Sequence, residues 1–146
     1  MNESPFTKYL IFFILGFIAL ITILVSVLYR PAKRMGITIK IIRDKDKYPI
    51  VEFVLTNSGK RKLNMVYPYI KFKRGYKSAS FQIQPEQFDH HFKKVMPPGV
   101  QETYRISLDK YENFVSSDFL TAGSVRITAE DDAGMNFHSS YVNLKA

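Results

Sequence analysis

Asp89, His90 and His91 stand together in this chain with Glu86 just before them, side chains able to ligate a transition metal. Adjacent histidines on a strand point to opposite faces, so joint coordination requires a loop. His138 is the one further histidine. An ordinary polar surface loop needs fewer assumptions, and metal binding there stays open. Glu130, Asp131 and Asp132 form a second acidic group. Clustered carboxylates suit calcium, but the alternating Asp ladder and terminal bidentate Glu of a calcium loop are missing. Asp favours a bend and Gly134 can supply positive φ, so a solvated turn is expected.

Nucleophilic chemistry has less support. The chain has no cysteine and no G-x-S-x-G elbow. Gly59, Gly75 and Gly99 are isolated turn glycines rather than parts of a phosphate loop. No local motif selects an acid–base pair from the carboxylates. The expectation is a non-enzymatic protein with no cofactor, no metal and no small-molecule substrate.

Charge is more informative. The formal net charge is +8, and no acidic residue occurs between Glu52 and Glu86. That interval holds Lys60, Arg61, Lys62, Lys71, Lys73, Arg74 and Lys77, interleaved with Tyr67, Tyr69, Phe72 and Tyr76. These seven cations are candidate contacts for an anionic surface, either lipid headgroups or phosphates. Individually, Lys71 and Lys73 also fit the solvent side of an alternating strand, and basic residues protect exposed edges. Nucleic acid is disfavoured as the partner because no binding motif for it occurs.

The elements that position these residues begin with residues 9–29, YLIFFILGFIALITILVSVLY, which carry no charge. A helix of this length matches a hydrocarbon core of about 30 Å. Tyr9, Tyr29, Arg30, Lys33 and Arg34 are candidate membrane-interface anchors. Pro5 and Pro31 bracket the segment. A cleaved signal peptide would have a shorter apolar stretch and small residues at a cleavage site, and a core helix would show a polar face. Gly16 and Ala19 are three apart, which gives a small-residue dimer seam little support. The organisation expected is a tail at 1–8, a transmembrane helix at 9–29, a short basic linker at 30–35 and a domain at 36–146. Cations after the span favour a cytoplasmic domain, and an extracytoplasmic one is the alternative. The absence of cysteine fits a reducing compartment without requiring it.

Period-two alternation dominates the roughly 110 residues after Gly36, a usual single-domain size. Strands are expected around Ile37 and Ile41, Val51 and Leu55, Tyr69 and Lys73, Phe81 and Ile83, Tyr104 and Ile106, and Val125 and Ile127, with a last one over 137–144; Leu63 and Met65 continue the alternation on the far side of the turn at 57–59. A charged turn is expected at 44–47, and another at Asn57-Ser58-Gly59, where Asn and Gly both tolerate positive φ. Long connections at 87–94 and 109–121 interrupt the strands. In the second, Tyr111, Phe114, Val115 and Phe119 approximate helical spacing and are expected to cap one end of the core. About seven short strands indicate an all-β fold, an antiparallel β-sandwich.

VEFVLTNSGKRKLNMVYPYIKF, MPPGVQETYRISL and VRITAEDDAGMNFHSSYVNL together resemble the immunoglobulin-like domain of small bacterial single-span membrane proteins. The shared outline is a strand ending in Asn-x-Gly, a Pro-Gly turn, and a final hairpin around Asp-x-x-Gly. The cysteine pair and tryptophan of antibody-type domains are both missing. The resemblance implies an immunoglobulin-like sandwich on a membrane anchor and transfers no functional residue. Two functions are expected from these readings. One is an anchored scaffolding module that recognises a protein partner through a sheet edge or the loops at 87–98 and 109–121. The other is a basic domain binding anionic lipid or another phosphate-rich surface.

Overall fold

The computed structural model describes residues 4–28, 33–43 and 48–145 of the chain. It divides into two compact units, 1–31 and 32–146. In the first, helix α1 runs Pro5–Leu28. It starts before Tyr9 because proline suits the first helical position, where its missing N–H would have no partner. The Ser4 carbonyl accepts the Thr7 N–H at 3.0 Å. Pro5–Ser26 has a mean hydropathy of 2.7 with no side chain buried, which makes it long and apolar enough to cross a membrane. The Thr22 and Ser26 hydroxyls donate to the carbonyls of Ile18 and Thr22, one turn back. Both polar groups are thereby satisfied within the helix. Tyr29, Arg30, Pro31 and the turn expected at 44–47 lie outside the described residues.

The second unit is built from antiparallel β-structure. Its strands are β1 (Met35–Ile42), β2 (Ile50–Asn57), β3 (Leu63–Asn64), β4 (Tyr69–Arg74), β5 (Lys77–Gln82), β6 (Val95–Met96), β7 (Gln101–Ser107), β8 (Ser124–Glu130), β9 (Asn136–His138) and β10 (Val142–Asn143). They pair as a three-stranded sheet β1-β2-β7, a five-stranded sheet β10-β8-β4-β5 with β9 also on β8, and a small pair β3-β6. Alternation drives this arrangement. Val51, Phe53 and Leu55 of β2, Tyr104 and Ile106 of β7, Ile70 and Phe72 of β4, and Val125, Ile127 and Ala129 of β8 all face one core. Each large side chain buried there contributes about 1.5–3 kcal/mol.

Several expectations need correction. The stretch 137–144 is two short strands, because Ser139 breaks the ladder between them. Its buried hydroxyl accepts the Ile127 N–H, while its own N–H donates to the Ile127 carbonyl. The turn after β2 uses no positive φ at Asn57 or Gly59. Asn57 is buried instead, its Nδ2 donating to the Arg61 and Met96 carbonyls and its Oδ1 accepting the Gly59 N–H. β6 falls inside the loop expected at 87–98. The 109–121 connection does hold a short helix, α2 (Ser117–Thr121), preceded by a 3-10 turn, Leu108–Tyr111. Tyr111 and Leu120 enter the core, whereas Phe114 is 65% exposed.

Candidate interaction surface

The β4–β5 hairpin turns through Gly75 and Tyr76. Gly75 has φ 59 and, among the described residues, no non-glycine residue has positive φ, the signature of a type II′ turn. Such a turn makes Arg74 and Lys77 a hydrogen-bonded pair, and bonding then alternates along the ladder. The Ile83 N–H, donating to the Pro68 carbonyl at 2.8 Å, continues the same alternation at the far end. Lys77, Ala79 and Phe81 therefore direct their backbone groups to β4. Ser78, Ser80 and Gln82 direct theirs to the open side. Among the described residues no strand pairs with that side, and the Gln82 carbonyl is taken by Gln84 Nε2. Two serines are left with outward N–H and C=O groups.

The other long edges have near neighbours. Asp89 Oδ1 accepts the Arg105 N–H of β7 at 3.0 Å, so the loop after the 3-10 turn Pro85–Gln87 closes that edge. β1 lies close to β9 and β10, though among the described residues it pairs only with β2. Lys93 Nζ, 2.9 Å from Glu102, ties the 87–94 loop to β7 as well, and this hydrogen bond holds the lysine pKa above its ordinary value.

The outer face of the five-stranded sheet is cationic. Register aligns Ser80, Lys71 and Arg126 across three strands, and Ser78, Lys73 and Ser124 beside them. Arg126 and Lys73 both approach the Tyr141 ring, at 4.8 and 5.4 Å from its centroid. Arg126 Nε is buried without a hydrogen-bond partner. None of Lys71, Lys73 and Arg126 pairs with a carboxylate among the described residues. At the hairpin tip Arg74 lies 3.1 Å from Asp118, beside an open cavity of about 460 Å³ lined by Tyr76, Lys77, Ser116 and Phe119.

The seven candidate cations therefore do not form one patch. Lys60, Arg61 and Lys62 are exposed on the turn after β2. The N–H groups of Ser58 and Gly59 both donate to the Arg34 carbonyl, which ties that turn to the first strand's start. Lys71 and Lys73 project from the sheet, and Arg74 and Lys77 close the hairpin. β4 carries the second group away, because it runs antiparallel to β8 with Lys73 opposite Ser124 while Asp131 follows the other end of β8. Of the expected interface anchors, Tyr9 is 75% exposed and Lys33 Nζ is 2.8 Å from Asp131 Oδ2.

Asp131 is no solvated turn residue. Its side chain is fully buried, and its Oδ1 accepts the N–H groups of Ala133 and Met135. Burial alone would raise its pKa; Lys33 and the two backbone donors outweigh burial and hold the carboxyl below its ordinary value. Gly134 does adopt φ 84, as the turn requires. In the histidine loop, His90 stacks on Tyr104 at 4.9 Å, and its Nδ1 lies 3.0 Å from Asp89. Burial raises the pKa values of Tyr104 and Tyr111; the Tyr104 oxygen accepts the Lys93 N–H, and the Tyr111 hydroxyl donates to Gln87.

Sequence reasoning missed Arg126, Tyr141, Ser78 and Ser80. Alternation in VRITAE could have placed Arg126 on an outer face. Its alignment with Lys71 depends on pairing between strands over fifty residues apart in sequence.

No family model matches this chain, and no curated protein is similar to it. Among solved structures it is similar to a Bordetella pertussis protein provisionally named ApaA, at 9% identity and a TM-score of 0.47, covering 76% of this chain and 90% of that one. A second structure, from the Northeast Structural Genomics Consortium, shares 14% identity with a TM-score of 0.40, covering 79% and 87%. Both are weak likenesses in fold.

Proposed function

We propose that this chain is a single-pass, membrane-anchored, non-enzymatic interaction module. Its domain is an immunoglobulin-like sandwich that captures an extended segment of a protein partner along β5. The observation that carries this reading is the pair of outward-facing serines, Ser78 and Ser80, on a strand with one open side. Pairing along a sheet edge supplies main-chain hydrogen bonds to a partner without a preformed pocket. Small side chains and the absence of proline in Lys77–Gln82 leave room for a neighbouring strand. α1 supplies the anchor, and the cations following it favour a cytoplasmic domain.

Ser80→Pro tests the reading, because it removes an outward N–H that no ladder bond uses, a change edge strands tolerate. A photo-crosslinker at Gln82 in native membranes is expected to give a discrete adduct that Ser80→Pro abolishes, with the melting temperature retained. A crosslinker at Thr38 on β1 should give none. If the Gln82 adduct persists in Ser80→Pro, the edge reading is wrong.

A second reading, contact with anionic lipid, is supported by the Lys60-Arg61-Lys62 turn. Hydrogen bonds hold this turn to Arg34, six positions after the end of α1. Basic side chains near an anionic leaflet contribute about 1 kcal/mol each.

A further inference from the structure

We propose that the segment captured along β5 alternates acidic and apolar residues, its carboxylates lying over the outer face and its apolar side chains beside Phe81 and Phe114. This rests on the edge-capture reading and adds the chemistry of the partner. A strand added beside β5 places alternate residues on the same two faces as β5 itself. On the outer face its neighbours are Ser78 and Ser80, and behind them Lys73 and Lys71 directly in register. Such a strand lies about 10 Å from β4, two strand spacings away. Serines rise little above the sheet, so glutamate and lysine side chains can meet across them.

Two features make that face strongly cationic. Lys71 faces Arg126 across the ladder, a like-charge pair that disfavours the sheet unless an anion lies near. Lys73 and Arg126 converge on the electron-rich face of Tyr141, which holds their side chains on the outer surface. An acidic partner supplies the missing charge. The opposite face calls for the opposite chemistry. Phe81 packs on Phe72 and Tyr111 and lies 6.0 Å from Phe114, which is 65% exposed, so an aromatic ring stands open on the core side of that edge. Alternation in the partner answers alternation in the strand.

The test uses the full chain in nanodiscs of neutral lipid and three end-blocked nine-residue peptides. The first alternates Glu and Val, the second Gln and Val, and the third Glu and Ser. The first is expected to bind about tenfold more tightly than the second, with the preference shrinking as salt rises. The Lys71→Gln, Lys73→Gln, Arg126→Gln triple variant should erase that preference, and Phe114→Ser should erase the preference over the third peptide. Hydrogen exchange of the 77–82 peptide should slow on binding. If all three peptides bind equally and protect 77–82, the edge reading stands and the partner chemistry proposed here is overturned. If none protects 77–82, the edge reading fails and this inference fails with it. If phosphatidylserine vesicles protect 77–82 and the peptides do not, the face serves lipid, and the proposal is likewise overturned.

Discussion

Lys71 and Arg126 stand directly opposite one another on adjacent strands of the five-stranded sheet, two cations where a cross-strand pair would ordinarily be neutral or opposite in sign. Replacing one of them tests whether stability has been given up for recognition. Lys71→Glu should raise stability by about 0.5–1 kcal/mol, because it turns a repulsion into a partly exposed ion pair. Denaturant unfolding of the variant checks the sign. The same change should abolish capture of an acidic segment, so stability and binding move in opposite directions.

Asp131 predicts a pH dependence. Its folded pKa lies below the ordinary value, so its contribution is fully present above the carboxylate range. As pH falls through that range the unfolded chain takes up the proton first, and the contribution is lost towards the folded pKa. Asp131→Ala should cost about 2–3 kcal/mol at neutral pH, since Lys33 and two backbone N–H groups lose their acceptor. Unfolding curves between about pH 7 and pH 3 should show the gap between wild type and Asp131→Asn narrowing as acid is added.

Gly123 sits where α2 returns to β8. A Cβ there would meet the Phe119 carbonyl oxygen at 2.7 Å and that of Lys73 at 2.9 Å, both backbone atoms that cannot swing aside. Gly123→Ala should therefore destabilise the domain by about 1–3 kcal/mol, and a thermal melt measures it. By contrast, Gly36 has open space around the same position, and alanine there should stay within about 0.5 kcal/mol.

The two groups of cations should separate in a vesicle assay with residues 32–146, a compact unit with its own core. Under the lipid reading, Lys60→Gln, Arg61→Gln and Lys62→Gln together lower binding to phosphatidylserine vesicles at low salt. Lys71→Gln with Lys73→Gln leaves it unchanged. Equal losses from both sets would show a diffuse charge effect.

Alternation made the antiparallel β-content legible, because burying one face of a strand forces period two: Val51, Phe53 and Leu55 read the same way in sequence and in space. The apolar helix was legible from composition alone. Partnership between distant residues was not. Ser139 reads as a strand residue until its hydroxyl is seen taking a ladder N–H. Asp131 reads as a surface turn until Lys33, 98 positions away, is seen on its carboxylate. The seven cations form a cluster in sequence, and β4 and β5 separate them. The open edge itself was invisible, since an unpaired strand is defined by which neighbours are missing.

Amide hydrogen exchange, resolved by residue, on the full chain in nanodiscs without any partner reads the β5 edge directly. The amides of Ser78 and Ser80 should exchange at rates near those of exposed backbone, while those of Ala79 and Phe81 are protected by β4. Protection of Ser78 and Ser80 equal to that of their neighbours would mean that the edge is already occupied and that β5 has no open side to offer a partner.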